Sequence, residues 1–375
     1  MKTDLTKQNK TLLHLSLISG IGPATVEKLV AGFSLETVAD IYQFSESDFS
    51  ARCGVSQRVA HLIVAGLKDQ RRLDFELELM QLHDITCLTI ADEAYPALLK
   101  QIHLPPIVLY VRGILPAART KSLAVVGSRK ANAYAHRVTR LLLPPLIQHN
   151  VCIVSGGALG ADAIAHSVTL ENNGTTVAVL GAGLLRAYPR QNNGLFKSIV
   201  ENGGALISPF PLETEATPGN FPARNRIIAG LSQVCLVLQA AEKSGALITA
   251  SWALDAGRDV CAVPGPIDDP LSAGCNNLLR QGAHVITGPQ DLLHLFGLAV
   301  TSERAQQQSL ITESAPVFED EIEATIYRRC AQPIGFDDLL AELELDHCVL
   351  QEKLFKLQLD GKLEQNFMGF WKALP

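Results

Sequence analysis

Residues 151–160 read Val-Cys-Ile-Val-Ser-Gly-Gly-Ala-Leu-Gly and lead into a helical stretch. An apolar run, a glycine-rich loop and a helical pattern in this order predict a buried strand, a tight turn and a helix. Comparable runs recur at 107–111, 122–127, 151–155, 176–181, 205–208, 234–239, 259–263 and 284–287, with a further strand candidate at 87–90. Because apolar strands that alternate with helices are typical of a parallel sheet covered on both faces, we expect an α/β, Rossmann-like, doubly wound domain.

Glycines follow several of these predicted strands. In an open parallel sheet a ligand binds beyond the carboxyl ends of the strands, where glycine lets the backbone approach and helix N-termini attract anions. A single glycine pair is more simply explained as a tight turn, but four glycine-containing segments on one edge favour a binding site. These segments are V-G-S-R (126–129), S-G-G-A-L-G (155–160), G-A-G (181–183) and S-G-A-L-I-T-A (244–250).

Arginines lie along the same edge, at Arg129, Arg190, Arg224 and Arg226. A guanidinium group beside backbone N–H donors can bind two oxygens of one phosphate, so the pattern predicts an anion site. For Arg226, in the first turn of a predicted helix, a salt bridge is an equally good interpretation. Stacking platforms for bases are few, and the best placed are Phe210, Phe221 and Tyr188. If the ligand is a nucleic acid, we therefore expect it to be bound without dependence on base sequence.

Other chemistries lack their sequence signals. The first strand–helix junction has no G-x-G-x-x-G, and the chain contains no P-loop. Asp162 and His166 are one helical turn apart and could form an acid/base pair, but we favour loop support for Asp162 and helix packing for His166. We expect no catalytic residue, no metal and no cofactor.

The charge of the 375-residue chain is uneven. Its formal net charge is −6, yet no acidic residue lies between Glu93 and Asp162. That stretch carries eight basic side chains, namely Lys100, Arg112, Arg119, Lys121, Arg129, Lys130, Arg137 and Arg140. Residues 318–375, by contrast, carry six basic and twelve acidic side chains. The basic stretch is therefore a candidate anion-binding surface, and the C-terminal segment is a poor one.

Composition also suggests where the protein works. Hydrophobic residues make up 47% and charged residues 19% of the chain, as in soluble globular proteins. No apolar run reaches the length of a membrane helix and the start is polar, so we expect a cytoplasmic protein. The eight cysteines form no C-x-x-C pair and mostly have apolar neighbours, which favours reduced cysteines in the core.

The chain divides into four predicted regions. Residues 1–75 read as short helices whose turn at 18–23 resembles a helix-hairpin-helix (SAM-like) module. Residues 76–298 form the extended Rossmann-like domain, and residues 299–317, rich in Gln and Ser, fit a linker. The C-terminal region, 318–375, is predicted to be a winged helix. It has helices at 320–330, 337–343 and 347–360, with Asp337 and Asp346 as N-caps, and a hairpin at 361–371.

The ordered motifs of the middle region closely resemble the DNA processing protein A (DprA/Smf) family, and the flanking helical regions fit its longer members. The matching motifs are V-G-S-R (126–129), S-G-G-A-x-G-x-D-x-x-A-H (155–166), T-V-A-V-L-G-x-G-L (176–184), Y-P-x-x-N (188–192), N-F-P-x-R-N-R-I-I-A-G-L-S (220–232), S-G-A-L-I-T-A (244–250), G-R-D-V-x-A-V-P-G (257–265) and N-x-L-L-R-x-G-A (276–283).

The resemblance implies a non-enzymatic protein of natural transformation that binds incoming single-stranded DNA, protects it and loads RecA onto it. It also implies a homodimer formed through the Rossmann-like domain, with the apolar helix at 291–297 as a candidate part of the interface. The residues that it assigns to DNA binding are Gly127, Ser128, Arg129, Ser155, Gly156, Gly157, Arg190, Asn220, Phe221, Arg224, Asn225, Ser244 and Gly245.

A competing interpretation is an enzyme, because the same kind of Rossmann domain resembles nucleotide phosphoribohydrolases. Those enzymes carry P-G-G-x-G-T-x-x-E at the loop that matches 244–250. Here only Gly245 remains of the glycines, and the glutamate position falls in Thr249-Ala250-Ser251, which contains no acid. A purely structural adaptor would leave the row of arginines unexplained. We therefore favour DNA binding.

Overall fold

The computed structural model describes residues 5–117, 120–298, 320–343, 345–360, 362–365 and 370–373. Its contacts divide the chain into two compact units, Met1–Val300 and Thr301–Pro375. The predicted linker and Arg119 lie outside the described residues.

The first unit begins with five helices, whose ends follow local capping signals. Pro23 occupies the first turn of the second helix, and Ser45 and Asp48 form a reciprocal capping box at the third. Gly54 adopts a left-handed φ of 60° where that helix ends. The turn expected at 18–23 therefore does separate helices. The helices are α1 (Lys7–Leu17), α2 (Pro23–Thr37), α3 (Glu46–Cys53), α4 (Gln57–Lys68) and α5 (Arg71–Leu82), with a 3-10 helix at Val38–Gln43.

A nine-stranded sheet follows, and each strand coincides with one of the predicted apolar runs. The strands are β1 (Thr86–Thr89), β2 (Val108–Gly113), β3 (Ser122–Val126), β4 (Cys152–Ser155), β5 (Thr176–Val179), β6 (Ala205–Ser208), β7 (Val234–Val237), β8 (Asp259–Ala262) and β9 (His284–Val285). The helices between and after them are α6 (Ala97–Lys100), α7 (Ala133–Gln148), α8 (Ala161–Glu171), α9 (Asn193–Glu201), α10 (Asn220–Gly230), α11 (Gly245–Asp255), α12 (Ala273–Arg280) and α13 (Pro289–Leu295).

The strand order is β1-β2-β6-β5-β4-β3-β7-β8-β9. Every neighbouring pair in the part of this order that runs β6-β5-β4-β3-β7-β8-β9 is parallel. The chain winds outward from β3 in both directions, so the predicted doubly wound architecture is confirmed. The order reverses between β3 and β7, which is where such sheets open a crevice for a ligand.

One strand differs from the expected parallel arrangement. The run at 107–111 forms β2, which pairs antiparallel with both β1 and β6. Only residues 114–121 connect β2 to β3, whereas a parallel crossover needs a dozen or more residues. The chain must therefore reverse direction after β2.

A shared hydrophobic cluster joins the N-terminal helices to the sheet. Leu12 and Leu29 of the helices belong to the same cluster as Tyr110, Leu180 and Leu212 of the sheet and its loops. The boundary near residue 75 stays a prediction. Seven of the eight cysteines are buried, as expected of core thiols, and Cys348 is exposed. All eight are free thiols.

The apolar side chains proposed for a dimer face lie inside the protomer. Leu292 and Leu293 of α13, and Phe296 beyond it, are 0%, 4% and 8% exposed and pack in one cluster with α7. The apolar content of residues 291–297 therefore serves the core of the sheet domain.

The described residues of the second unit form three helices, α14 (Glu321–Arg329), α15 (Phe336–Leu343) and α16 (His347–Leu359), and two antiparallel strands, β10 (Leu363–Gln365) and β11 (Trp371–Ala373). Asp346 caps α16 as expected, accepting a hydrogen bond from the amide of Cys348. Asp337 was expected as an N-cap, but α15 already starts at Phe336 because the carbonyl of Gly335 accepts its first hydrogen bond, from the amide of Leu339. These elements are the predicted ones, and their assignment as a winged helix stays a prediction.

Candidate functional site

The reversal in strand order brings the carboxyl ends of β3 and β7 side by side. The amide of Ser128 donates to the carbonyl oxygen of Gln239 at 2.6 Å. A Cβ on Gly127 would lie 2.7 Å from the Cβ of Ala161, so only glycine fits between these segments. The tight turn leaves Arg129 exposed at the edge of the sheet.

The glycine loop after β4 is packed closely from below. The hydroxyl of Ser155 is buried and donates to the carbonyl of Val125 at 2.6 Å, so it does not face solvent. A Cβ on Gly156 would overlap the guanidinium group of Arg224, and Gly157 has a left-handed φ of 64°. The side chain of Asn192 donates to the carbonyl of Gly157 at 2.9 Å. The loop is therefore shaped by packing, and Ser155 is not placed to bind a ligand directly.

Arg224 lies beneath this loop. It is only 4% exposed, its Nη1 lies 3.8 Å from Oδ2 of Asp162, and it donates to the carbonyl of Val179 at 3.3 Å. Burial raises the pKa of Asp162, and the neighbouring Arg224 partly offsets this. The expectation that Arg224 contacts DNA thus needs correction, because a buried ion pair fixes its guanidinium group under the loop.

The possible acid/base pair is buried as well. His166 is 0% exposed and shares a 2.7 Å hydrogen bond with the hydroxyl of Thr176. Burial lowers the pKa of His166 to about 3, so the ring is neutral at physiological pH. Asp162 accepts a hydrogen bond from the amide of Ala158, within the glycine loop. This geometry agrees with loop support and helix packing.

A groove of about 970 Å³ opens at the same edge of the sheet. Its lining contains five basic side chains, those of Arg112, Arg129, Arg186, Arg190 and Lys197. The rest of the lining is largely apolar or aromatic, and it includes the acids Glu201 and Glu215. A groove of this composition suits a ligand that combines phosphates with apolar rings.

Aromatic rings lie beside the exposed cations. The guanidinium carbon of Arg129 is 5.0 Å from the ring centroid of Phe221. The ring of Tyr188 is 6.2 Å from that of Phe221, and Tyr188 is 49% exposed. One cation and two rings are therefore available at one place for a phosphate and a stacked base.

The structure brings together only part of the predicted set. Arg129, Arg190 and Phe221 line the groove, as does Tyr188, whereas Phe210 does not. Asn220 holds the groove wall from its side, because its amide group donates to the carbonyl of Glu215 at 3.3 Å.

The remaining predicted residues lie outside this lining. Ser244 caps α11 through its hydroxyl, and Asn225 donates to the carbonyl of Gly245 at 3.3 Å. Arg226 lies over Trp252, with its guanidinium carbon 6.0 Å from the ring, and forms neither a groove contact nor a salt bridge among the described residues. These residues shape the neighbouring turns.

Two basic groove residues escaped the sequence analysis, Arg186 and Lys197. Arg186 ends the sequence Gly-Leu-Leu-Arg that follows the glycine turn after β5. Lys197 lies four residues after Asn193 and four before Glu201, and this spacing places all three on one face of α9. Both residues could be identified in the sequence, but only the fold shows that they line the same groove as Arg129.

Acidic side chains pair with these two additional cations. Arg186 lies 3.1 Å from Glu213 and 3.6 Å from Glu215, and Lys197 lies 3.5 Å from Glu201. Within the described residues, Arg129 and Arg190 form no ion pair with a carboxylate. Arg112, the fifth basic side chain of the lining, is exposed and forms no ion pair among the described residues either, so the groove has three free cations and two partly neutralised ones.

The described ranges lack two further features. No group of three or more His, Cys, Asp or Glu side chains is arranged to hold a metal ion there. Likewise, no described helix has the length and hydropathy needed to cross a membrane.

Comparison with known proteins follows the same division of the chain. The model of the family "DNA recombination-mediator protein A" matches residues 86–297, and that of the "SAM-like Helix-hairpin-helix tandem" matches residues 12–69. Protein Smf of Synechocystis is 37% identical over 309 residues, which are 80% of this chain and 75% of that protein. Across the curated relatives, the aligned part spans from 50% to 75% of the relative's length.

Two solved structures are similar in fold. The structure of DprA from Streptococcus pneumoniae has a TM-score of 0.67 and 31% identity, covering 78% of this chain and 98% of that one. The structure of DprA from Helicobacter pylori, which concerns the single-stranded DNA binding mode of that protein, has a TM-score of 0.51 and 29% identity, covering 56% of this chain and 95% of that one. Sequence motifs, sheet topology and these matches agree: the chain belongs to the DNA recombination-mediator protein A family, the DprA/Smf family.

Proposed function

We propose that this protein binds single-stranded DNA in the groove at the carboxyl edge of its sheet, without base specificity. The observation that carries the proposal is the position of Arg129, exposed, unpaired among the described residues and 5.0 Å from the ring of Phe221. Arg190 and Tyr188 extend the same surface. Phosphates would bind the guanidinium groups, while bases would stack on the rings, which every base can do.

We further propose that the DNA-bound protein works as a recombination mediator in the cytoplasm. In this role it protects incoming single strands during natural transformation, loads RecA onto them and acts as a homodimer through the sheet domain. Membership of the family and the similarity to DprA proteins support this role. The burial of Asp162 and His166 supports a role without catalysis, because neither side chain can reach a substrate in the groove.

The experiment that tests the proposal is a fluorescence-anisotropy titration of an oligothymidylate with wild-type protein and two arginine variants. Arg129→Ala should weaken binding roughly tenfold to a hundredfold, since hydrogen bonds to charged groups contribute about 1.5–3 kcal/mol. Arg137→Ala, an exposed arginine of α7 outside the groove lining, is the matched control and should bind like wild type.

Salt provides a second measure of the same contact. The logarithm of affinity should fall linearly with the logarithm of salt concentration, by about 0.7 for each phosphate that the protein neutralises. The slope for Arg129→Ala should be shallower than for wild type by roughly one such contact. Equal affinity of wild type and Arg129→Ala at physiological salt would refute the assignment of this groove.

A further inference from the structure

The loop between β6 and α10, residues 209–219, forms one wall of the groove. Glu215, Ala216 and Pro218 of this loop line the groove, and so does Phe221 in the first turn of α10, the helix that follows. Any displacement of the loop would therefore change the surface that faces the DNA.

On its groove side the loop is paired with the segment after β5. The amide of Gly183 donates to the carbonyl of Thr214 at 2.8 Å, and the amide of Leu185 donates to the carbonyl of Leu212 at 3.0 Å. That segment carries Arg186, which lies 3.1 Å from Glu213 of the loop. The two groove-lining segments are thus fixed to each other.

Besides the bond from Asn220, one attachment of this wall comes from the N-terminal helices. Oε1 of Glu76, on α5, accepts a hydrogen bond from the amide of Leu212 at 2.8 Å. Glu76 is 5% exposed and Leu212 is 0% exposed, so water cannot replace either partner without opening the packing. The bond joins residues 136 positions apart in the sequence.

A carboxylate is a costly group to bury at this position. No cation pairs with Glu76 within the described residues, and burial raises the pKa of its carboxyl group, with the Leu212 amide as the first opposing influence. The buried hydroxyl of Tyr110 also faces the carboxyl group and lowers its pKa, although its geometry falls short of a full hydrogen bond. An apolar side chain would pack α5 against the sheet at lower cost, so the specific contribution of Glu76 is to accept the Leu212 amide.

We propose that Glu76 is a positioning residue through which the N-terminal helices hold the wall of the DNA groove, without contacting the DNA themselves. The functional part of this inference rests on the proposed binding of single-stranded DNA. It gives the helical region a role in binding that its distance in sequence from the groove does not suggest.

The test compares Glu76→Met, which keeps approximate side-chain size but has no oxygen acceptor, with Glu76→Gln, which keeps an acceptor without charge. Glu78→Ala, an exposed site on the same helix, is the control. Amide hydrogen exchange of residues 209–219 is measured without DNA, and oligothymidylate affinity is measured by anisotropy.

Glu76→Met should accelerate exchange across 209–219 and weaken DNA binding, each by about tenfold, because the buried amide of Leu212 is left without an acceptor. Glu76→Gln and Glu78→Ala should match wild type in both measurements. Wild-type exchange of the loop in folded Glu76→Met would overturn the proposal. If Glu76→Met does not fold, Glu76→Gln decides the test. Faster amide exchange of residues 209–219 in Glu76→Gln would overturn the proposal, whereas wild-type exchange and wild-type oligothymidylate affinity would support it.

The two readouts separate this inference from the proposed function. Failure of the wild-type protein to bind oligothymidylate would refute the function, while the exchange measurement would still report whether Glu76 holds the loop. Normal DNA binding by wild type together with unchanged exchange in Glu76→Met would refute the role of Glu76 alone.

Discussion

The groove and helix α16 of the C-terminal unit both carry basic side chains, but they differ in how free those charges are. Arg129 and Arg190 project into the groove with no carboxylate partner among the described residues. On α16, the amino group of Lys353 lies 2.6 Å from Asp320 and 3.1 Å from Glu323, and that of Lys356 lies 2.8 Å from Glu323. The lysines of α16 are therefore already bound to acids of their own unit.

The difference arises from Glu323, whose side chain is only 3% exposed. The cost of burying this carboxylate is offset by cationic partners, and its hydrogen bonds from Lys356 and Lys353 lower the pKa of Glu323. Hydrogen bonds to Asp320 and Glu323 raise the pKa of Lys353. A phosphate that bound these lysines would have to displace the acids first. The charge available to a ligand therefore depends on local pairing as well as on the number of basic residues.

The largest effect should come from removing two of the free cations of the groove, Arg129 and Arg190. Arg129→Ala combined with Arg190→Ala should lower oligothymidylate affinity by about a hundredfold or more, since two charge-assisted contacts are lost. The measurement is an anisotropy titration at physiological salt, with circular dichroism to confirm that the fold is intact.

Lys356→Ala is the matched control from α16, because Lys353 still pairs with Glu323 in this variant. It should bind DNA like wild type. If Lys356→Ala weakened binding as strongly as the double arginine variant, the distinction between free and paired cations would not hold.

The sequence predicted the sheet well because each strand is a local pattern. All nine strands and the glycine turns could be identified from apolar runs, and Arg129, Arg190 and Phe221 from their motifs. The direction of β2 was not predicted, because it depends on the short connection at 114–121. The burial of Arg224 and Ser155 also escaped prediction, since it depends on contacts with Asp162 and Val125 that are distant in sequence.

A smaller effect should follow from freeing Arg186, the partly neutralised arginine of the groove. Glu213→Gln combined with Glu215→Gln removes both acids that pair with it. Affinity for oligothymidylate should rise by about threefold, because exposed ion pairs contribute at most about 1 kcal/mol and their loss exposes one cation to the DNA.

The control for this increase is Glu171→Gln, an equally exposed acid that pairs with Arg140 at 3.0 Å outside the groove lining. It changes net charge by one unit but should leave affinity close to wild type. An increase of the same size in Glu171→Gln would show that overall charge, and not the release of Arg186, governs the response.

The smallest change in DNA affinity should come from a truncation after Leu298, although it removes the whole C-terminal unit. The contacts of the chain already separate the C-terminal unit from the rest, so the sheet domain loses no part of its groove lining. Residues 318–375 carry six basic and twelve acidic side chains, and the two lysines of α16 are tied to Asp320 and Glu323. Their removal should release few counterions at phosphates, so affinity should stay within about threefold of wild type. The C-terminal unit would then contribute by contacting another protein or by regulation. The opposite outcome would be the loss of most of the affinity on truncation while the melting transition of the sheet domain is preserved. It would show that the C-terminal unit, and not the groove, holds the DNA.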